Sequence, residues 1–310
     1  MQDISPKTIR RFSKEYAANV DVVQLLIESF GENIAEDILR MHPSEIRQTA
    51  RVNFLKTSRE EVIAILREDG IHATELEGIE EGIEIFLGGE RIGHSIAYLA
   101  GLVTPQGFGS LLTVHTLDPL PGELILDMAA APGNKTAFIA ERMRNTGELV
   151  ANDSSRARLT SLKSNLNRHG IRNTIVTNYD GAVFPTERKF DRILLDAPCT
   201  GEGLLVSTPS RRKSRDSTDP FILQRIQQRL VKRALRLLKK GGVIVYSTCS
   251  MNSVENEEVL EPFINRLEMK RVEVKLETPF YPSSLLDNVV RLLPNFHYCD
   301  GFFIAKGIKK

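Results

Sequence analysis

From about Gly109 onward, short runs of strand-forming residues alternate with helix-length segments, and this alternation restricts the fold more than any other feature of the chain. The runs are Leu124–Asp127, Glu148–Asp153, Thr174–Asn178, Phe190–Asp196 and Gly242–Ser247. Between them lie apolar-periodic segments, Ala157 to Leu166 closed by Gly170 and Phe221 to Leu238 closed by Gly241 and Gly242, where glycine lets a helix end in a left-handed turn. Strands that are apolar along most of their length are covered on both faces, so the pattern predicts an α/β fold with a largely parallel, doubly wound sheet. Ligands bind such sheets at the carboxyl ends of the strands, which makes the residues following each strand the ones to read for chemistry.

The first 108 residues have a different character. Helices over Pro6 to Ser29 and Ile34 to Leu39, a strand at Arg51–Leu55, a helix from Ser58 to Arg67 and a strand at Gly82–Leu87 predict a small α+β module, with the sheet domain occupying 109–310. A chain of 310 residues, 41% hydrophobic, can bury a core in each. No stretch approaches the ~18 consecutive apolar residues of a membrane span, and the opening Met1 to Phe12 lacks the apolar run of a secretory signal, so a soluble, cytoplasmic monomer without membrane partners is expected. Net charge is only +1, but it is segregated: residues 68–90 hold eight acids and no Lys or Arg, whereas 205–240 hold eleven Lys and Arg against two acids. The second segment could meet phosphate.

The first strand runs into Leu126 to Thr136, LDMAAAPGNKT, where small residues and Gly133 allow backbone N–H groups to approach a ligand at the start of a helix. A tight strand-to-helix turn can also be purely structural. Asp153, 20 residues after Gly133, stands where an acid grips a ribose diol in nucleoside-binding folds, and Asp180 follows the third strand. The alternative is that Asp153 caps a helix beginning near Ser154, which accounts for one acid more readily than for both. The fourth and fifth strands each deliver a cysteine to the same edge, Cys199 in LLDAPCTGEG and Cys249 in VIVYSTCSMNSVENEE. Neighbouring strands would set both in one crevice although 50 residues separate them. Asn252 and Glu255 read as a reciprocal helix cap, placing Cys249 before a helix N-terminus that favours thiolate. The three cysteines, Cys299 included, have neither disulfide nor zinc spacing, and no metal is expected.

These strings resemble the Nop/Sun family of RNA cytosine-5 methyltransferases, which includes the bacterial RsmB-like enzymes. Arg51 to Val62 is similar to the family's amino-terminal module, Tyr98 to Leu112 to its bridge and Arg291 to Lys306 to its closing strands. The resemblance implies a Rossmann-like methyltransferase sheet behind an RRM-like module, S-adenosylmethionine as cofactor, and RNA as substrate, with tRNA before ribosomal RNA. It implies that Ala129, Ala130, Ala131, Pro132, Gly133, Asn134 and Lys135 wrap the cofactor, that Asp153 holds its ribose and that Asp180 lies near its adenine. Asp196 would close the site against the target cytosine, with Lys135 as helper. Cys249 corresponds to the family's nucleophile and Cys199 to the cysteine that assists product release. The common loop reads C-A-A-P-G-G-K; here Ala129 replaces the cysteine and Asn134 the second glycine, and Asn tolerates a left-handed backbone well enough to keep the turn. Arg211, Arg212, Lys213 and Arg215, directly after the Cys199 loop, are the candidate phosphate contacts, while most charges on the following helix can be its solvated face.

Overall fold

The computed structural model describes residues 5–213, 219–274 and 276–310. Its twelve strands are β1 (Gln48–Val52), β2 (His72–Glu75), β3 (Gly82–Leu87), β4 (Val103–Pro105), β5 (Leu124–Asp127), β6 (Glu148–Asn152), β7 (Thr174–Thr177), β8 (Phe190–Asp196), β9 (Leu238–Thr248), β10 (Leu267–Lys270), β11 (Val289–Leu292) and β12 (Phe302–Lys309). The first four form an antiparallel sheet in the order β2-β3-β1-β4, backed by helix Arg59–Glu68, whose Ser58 and Glu61 make a capping box. This is the βαββαβ ferredoxin-like arrangement shared by RRM domains, with the second helix shortened to Gly89–His94 and Ile96–Leu99.

The remaining strands form one sheet in the order β10-β12-β9-β8-β5-β6-β7, with β11 beside β12. Pairs β7-β6-β5-β8-β9 are parallel and the pairs made by β12 are antiparallel. Strand order reverses between β5 and β8, so the carboxyl ends of β5, β8 and β9 open onto one crevice, as expected for a doubly wound sheet. Two buried clusters fill its faces, one around Phe138, Leu149 and Ile304, the other around Phe190, Tyr246 and Phe303.

Differences from the sequence-based expectation have local causes. The expected helix over Pro6 to Ser29 is two, Pro6–Glu15 and Val20–Phe30, because Ala17 is left-handed at φ 48° and the Asn19 side chain caps the second. These helices pack on Leu205, Val206, Met251 and Leu293 of the large sheet's loops. Strand β2 escapes the pattern because HATE, on a sheet edge, lacks alternating apolar residues, and helix Phe108–Leu117 because it is apolar all round and buried. On helix Pro220–Leu237 the buried stripe is Gln227, Leu230, Val231, Ala234, Leu235 and Leu237, with Ile226 exposed. Arg233 is not solvated but donates to the carbonyls of Phe184 and Thr186. Among the described residues no helix is long and apolar enough to cross a membrane.

Candidate active site

Adjacent parallel strands β8 and β9 bring their carboxyl ends level, with Asp196 opposite Ser247. The chain then turns at both ends, and Cys199 Sγ lies 3.3 Å from Cys249 Sγ. Two thiols this close share one proton more readily than they hold none. Of the two, Cys199 holds its proton more tightly, its pKa driven well above the ordinary thiol value by the adjacent Cys249 sulfur and by burial. Cys249 moves the other way: the Cys199 S–H donates to it, and Lys135 and Arg211 oppose the effects of burial and Asp196.

The reciprocal cap expected of Asn252 and Glu255 does not form. Asn252 caps only the short turn Ser253–Glu255, and the Glu255 carboxylate turns inward to accept from Thr200 N and Gln227 Nε2, each at 3.1 Å. The helix that follows has four residues, so cations rather than a helix dipole favour thiolate at Cys249. Arg211 is one of them. Its Nη1 donates to the Thr200 carbonyl at 3.1 Å, and a Cβ added to Gly201 would lie 2.6 Å from that nitrogen and 3.7 Å from Cys249 Sγ, so guanidinium and sulfur flank one gap.

Lys135 Nζ donates to Asp196 Oδ2 at 2.6 Å, and Ser247 Oγ donates to Oδ1 at 2.7 Å. Asp196 is thus held as an acceptor between the cysteine pair and the loop after β5. That loop walls a pocket of about 110 Å³ with Asp127, Ala129, Ala130, Ala131, Pro132, Asn134, Lys135, Asp196 and Ser110. Gly133 has φ +106°, and a side chain there would meet Leu162 at 2.8 Å. Asn134 is not left-handed, contrary to the expectation from sequence; it is the first residue of helix Asn134–Arg142, and Gly133 alone carries the turn.

Asp127 is a site residue absent from the sequence-based candidates, although it ends β5 as Asp196 ends β8. Its Oδ2 accepts from Thr136 Oγ1 at 2.8 Å while its buried Oδ1 has no partner, and burial raises its pKa to about 7. A buried acceptor without a donor, in a pocket of small side chains and acids, fits a ligand that brings hydrogen-bond donors and positive charge.

Asp153 is buried, accepting from Ala131 N at 3.0 Å and Ser155 N at 2.9 Å, so it both latches the loop and caps the next turn. Arg158, also unforeseen, sits 3.6 Å from Asp153 and donates to the Ala131 carbonyl. Asp180 caps the turn Gly181–Val183 and lies 3.7 Å from Arg229, outside the pocket wall. Of the basic cluster, Arg212 is spent on protein: it donates to the carbonyls of Leu205, Leu39 and Met41, tying a helix end to the Cys199 loop. Lys213 is exposed, and Arg215 lies outside the described residues. Cys299 is buried in the core cluster, its thiol pushed up to about 12 by burial.

A family model described as 16S rRNA methyltransferase RsmB/F matches residues 114–308, and one described as an RsmF/B-like ferredoxin-like domain matches 22–87. This chain belongs to the RsmB/F methyltransferase family. Within the family it is 38% identical to a tRNA (cytosine(49)-C(5))-methyltransferase of Pyrococcus abyssi, over 84% of this chain and 88% of the relative. It is 36% identical to the 25S rRNA (cytosine-C(5))-methyltransferase nop2 of Schizosaccharomyces pombe, over 92% of this chain but only 50% of that protein. The crystal structure of NSun6 from Pyrococcus horikoshii with SFG, an S-adenosylmethionine analogue, superposes with a TM-score of 0.84 at 25% identity, covering 93% of this chain and 97% of that one.

Proposed function

We propose that this chain methylates carbon 5 of cytosine in RNA, with Cys249 as covalent nucleophile. The observation that carries the reading is the sulfur pair, 3.3 Å apart, with Asp196 between it and the small-residue loop. Carbon 5 of cytosine is a weak nucleophile. Addition of the Cys249 thiolate to carbon 6 makes carbon 5 enamine-like, able to take a methyl group. When bound, S-adenosylmethionine supplies that methyl on a sulfonium. Ala129 to Lys135 would wrap it, Asp153 would hold the ribose and Asp180, beyond the pocket wall, would lie toward the adenine. Asp196, ion-paired with the Lys135 ammonium, would accept from the cytosine amino group. Loss of the carbon 5 proton to a base, either a water that Cys199 positions or Cys199 itself once it has passed its own proton to solvent, expels the Cys249 thiolate and restores the ring.

The target base must be unpaired or extruded to enter the crevice. Residues 1–108 would hold RNA beside the catalytic unit, 109–310, with Arg211 and Lys213 toward its phosphates. We favour tRNA, because the archaeal tRNA relative is 38% identical over 84% of this chain. Ribosomal RNA is the second reading, favoured by 32% identity to a probable ribosomal RNA small subunit methyltransferase B of Bacillus subtilis over 97% of this chain. Purified protein incubated with labelled cofactor and total RNA tests both. Cys249→Ala should lose methyl transfer by at least ~10³-fold, while Cys199→Ala should accumulate a protein–RNA adduct on denaturing gels. Normal turnover by Cys249→Ala would overturn the assignment.

A further inference from the structure

Behind the Cys199 loop lies a pair of acids that this chemistry leaves unused. Glu255 is fully buried and Glu202 nearly so. The Thr200 hydroxyl sits within hydrogen-bond reach of both, touching Glu202 Oε2 and Glu255 Oε2. Ser250 Oγ donates to Glu202 Oε2 at 3.0 Å, and Glu202 Oε1 is buried with no partner. A hydroxyl has one hydrogen. It can donate to one carboxylate, but the other must then donate to it, so the cluster is consistent only if it holds one further proton. Mutual repulsion between two buried carboxylates favours the same count.

Glu255 also grips the loop on both sides of Cys199. It accepts from Thr200 N at 3.1 Å, and it accepts from Gln227 Nε2, also at 3.1 Å, whose amide donates in turn to the Pro198 carbonyl at 2.8 Å. Tyr246 hydroxyl donates to the Glu255 carbonyl at 2.6 Å and fixes its backbone. The other ionisable groups around the loop are Asp196, Cys249, Tyr246, Lys135 on the Cys249 side and, on the Thr200 carbonyl, Arg211. The neutral state of one acid keeps a second negative charge from building up behind the thiol.

We propose that Glu255, held as a neutral carboxylic acid by the proton it shares with Glu202 through Thr200, is the positioning residue that sets Cys199 against Cys249. The proposal rests on the two-thiol reading above. Its role falls in product release, the step assigned to Cys199, and not in methyl transfer, the step assigned to Cys249. An amide in place of the acid can make the same bonds: its oxygen accepts from Thr200 N and Gln227, and its NH₂ donates to Thr200 Oγ1. Glu255→Gln should therefore keep turnover within about threefold of the parent protein and trap no RNA. Glu255→Ala should slow release about tenfold or more and accumulate adduct, while methylation of the trapped RNA proceeds at the parent rate. Thr200→Val, which leaves two acids unbridged, should trap RNA in the same way and replaces Glu255→Ala if that variant is insoluble. The parent should also lose release rate at alkaline pH as the cluster gives up its proton, and Glu255→Gln should not.

The experiment is single-turnover reaction of the full chain with an unmodified tRNA transcript and labelled cofactor, reading methylated RNA and gel-stable adduct side by side, with Cys199→Ala in parallel. Adduct in Cys199→Ala and Glu255→Ala but not in Glu255→Gln supports the proposal. Equal trapping by Glu255→Gln and Glu255→Ala overturns it, as does a Glu255→Ala protein that slows both steps alike without adduct. Absence of adduct in Cys199→Ala itself overturns the two-thiol reading and this proposal with it.

Discussion

Asp127 shows how one buried oxygen at a strand end links stability to pH. Burial, with Asp196 adding to it, raises its pKa from 3.8 to about 7, against the hydrogen bond from Thr136, the Lys135 charge and the Ala129 backbone. Between those values the folded protein binds a proton that the unfolded chain has released, so stability from this group is present below about pH 4 and is lost as pH rises to about 7. The difference corresponds to roughly 4 kcal/mol. Asp127→Asn keeps the shape and removes the titration. Urea unfolding of the ligand-free protein should show the parent weakening between pH 5 and 7.5 and the variant weakening distinctly less; parallel curves would refute the assignment. Asp127 is legible as a residue type at a strand end, as are Asp196 and both cysteines, because strand ends and small-residue loops are written locally. Glu255 misleads a linear pattern because its partners, Thr200 and Gln227, are 55 and 28 residues away, and a local cap is the only reading such a pattern offers.

Among the elements, β1 and the helix that follows the small-residue loop are joined by a buried charge. Arg51 has no exposed surface; its Nε and Nη2 donate to Glu141 at 2.8 and 3.0 Å, its Nη1 to the Asn134 carbonyl at 2.8 Å, and its guanidinium lies over Phe138. The ferredoxin-like sheet is thereby fastened to the first turn after Gly133. His169 Nδ1 lies 2.8 Å from Glu141, and its Nε2 lies 2.8 Å from Thr104 on β4. Removing one member of a buried pair strands the other, so Arg51→Met should cost about 3–5 kcal/mol, and adding Glu141→Leu should recover a large part of it. A double variant as unstable as the single would mean that the pair is not the cause. Strands β3, β5 and β8 can be bounded from sequence because their apolar patterns end at turns, whereas Arg51 reads there as an ordinary polar residue on a half-buried strand. Only the meeting of two sheets makes its burial necessary.

At the scale of the whole molecule, the basic residues of one helix lie at different distances from the crevice. Helix Pro220–Leu237 runs from the active edge of the sheet to the opposite one: Gln227 touches Pro198 beside Cys199, while the Arg236 carbonyl accepts from Lys189, just ahead of β8. Eleven residues separate Arg225 from Arg236, roughly 16 Å of helix rise. That exceeds the ~8 Å Debye length at physiological ionic strength, so RNA seated at the cysteine pair should feel the near charges and not the far ones. Arg225→Gln with Lys213→Gln should reduce the dependence of log K on log salt by roughly 1.5, at ~0.7–0.9 for each phosphate that is no longer neutralised. Arg236→Gln with Lys240→Gln removes the same formal charge and should leave the slope unchanged. Filter binding of a tRNA transcript between about 50 and 200 mM salt distinguishes them. Equal reductions from the two pairs would mean that RNA is held by a diffuse positive field, and the crevice would lose its claim to orient the strand.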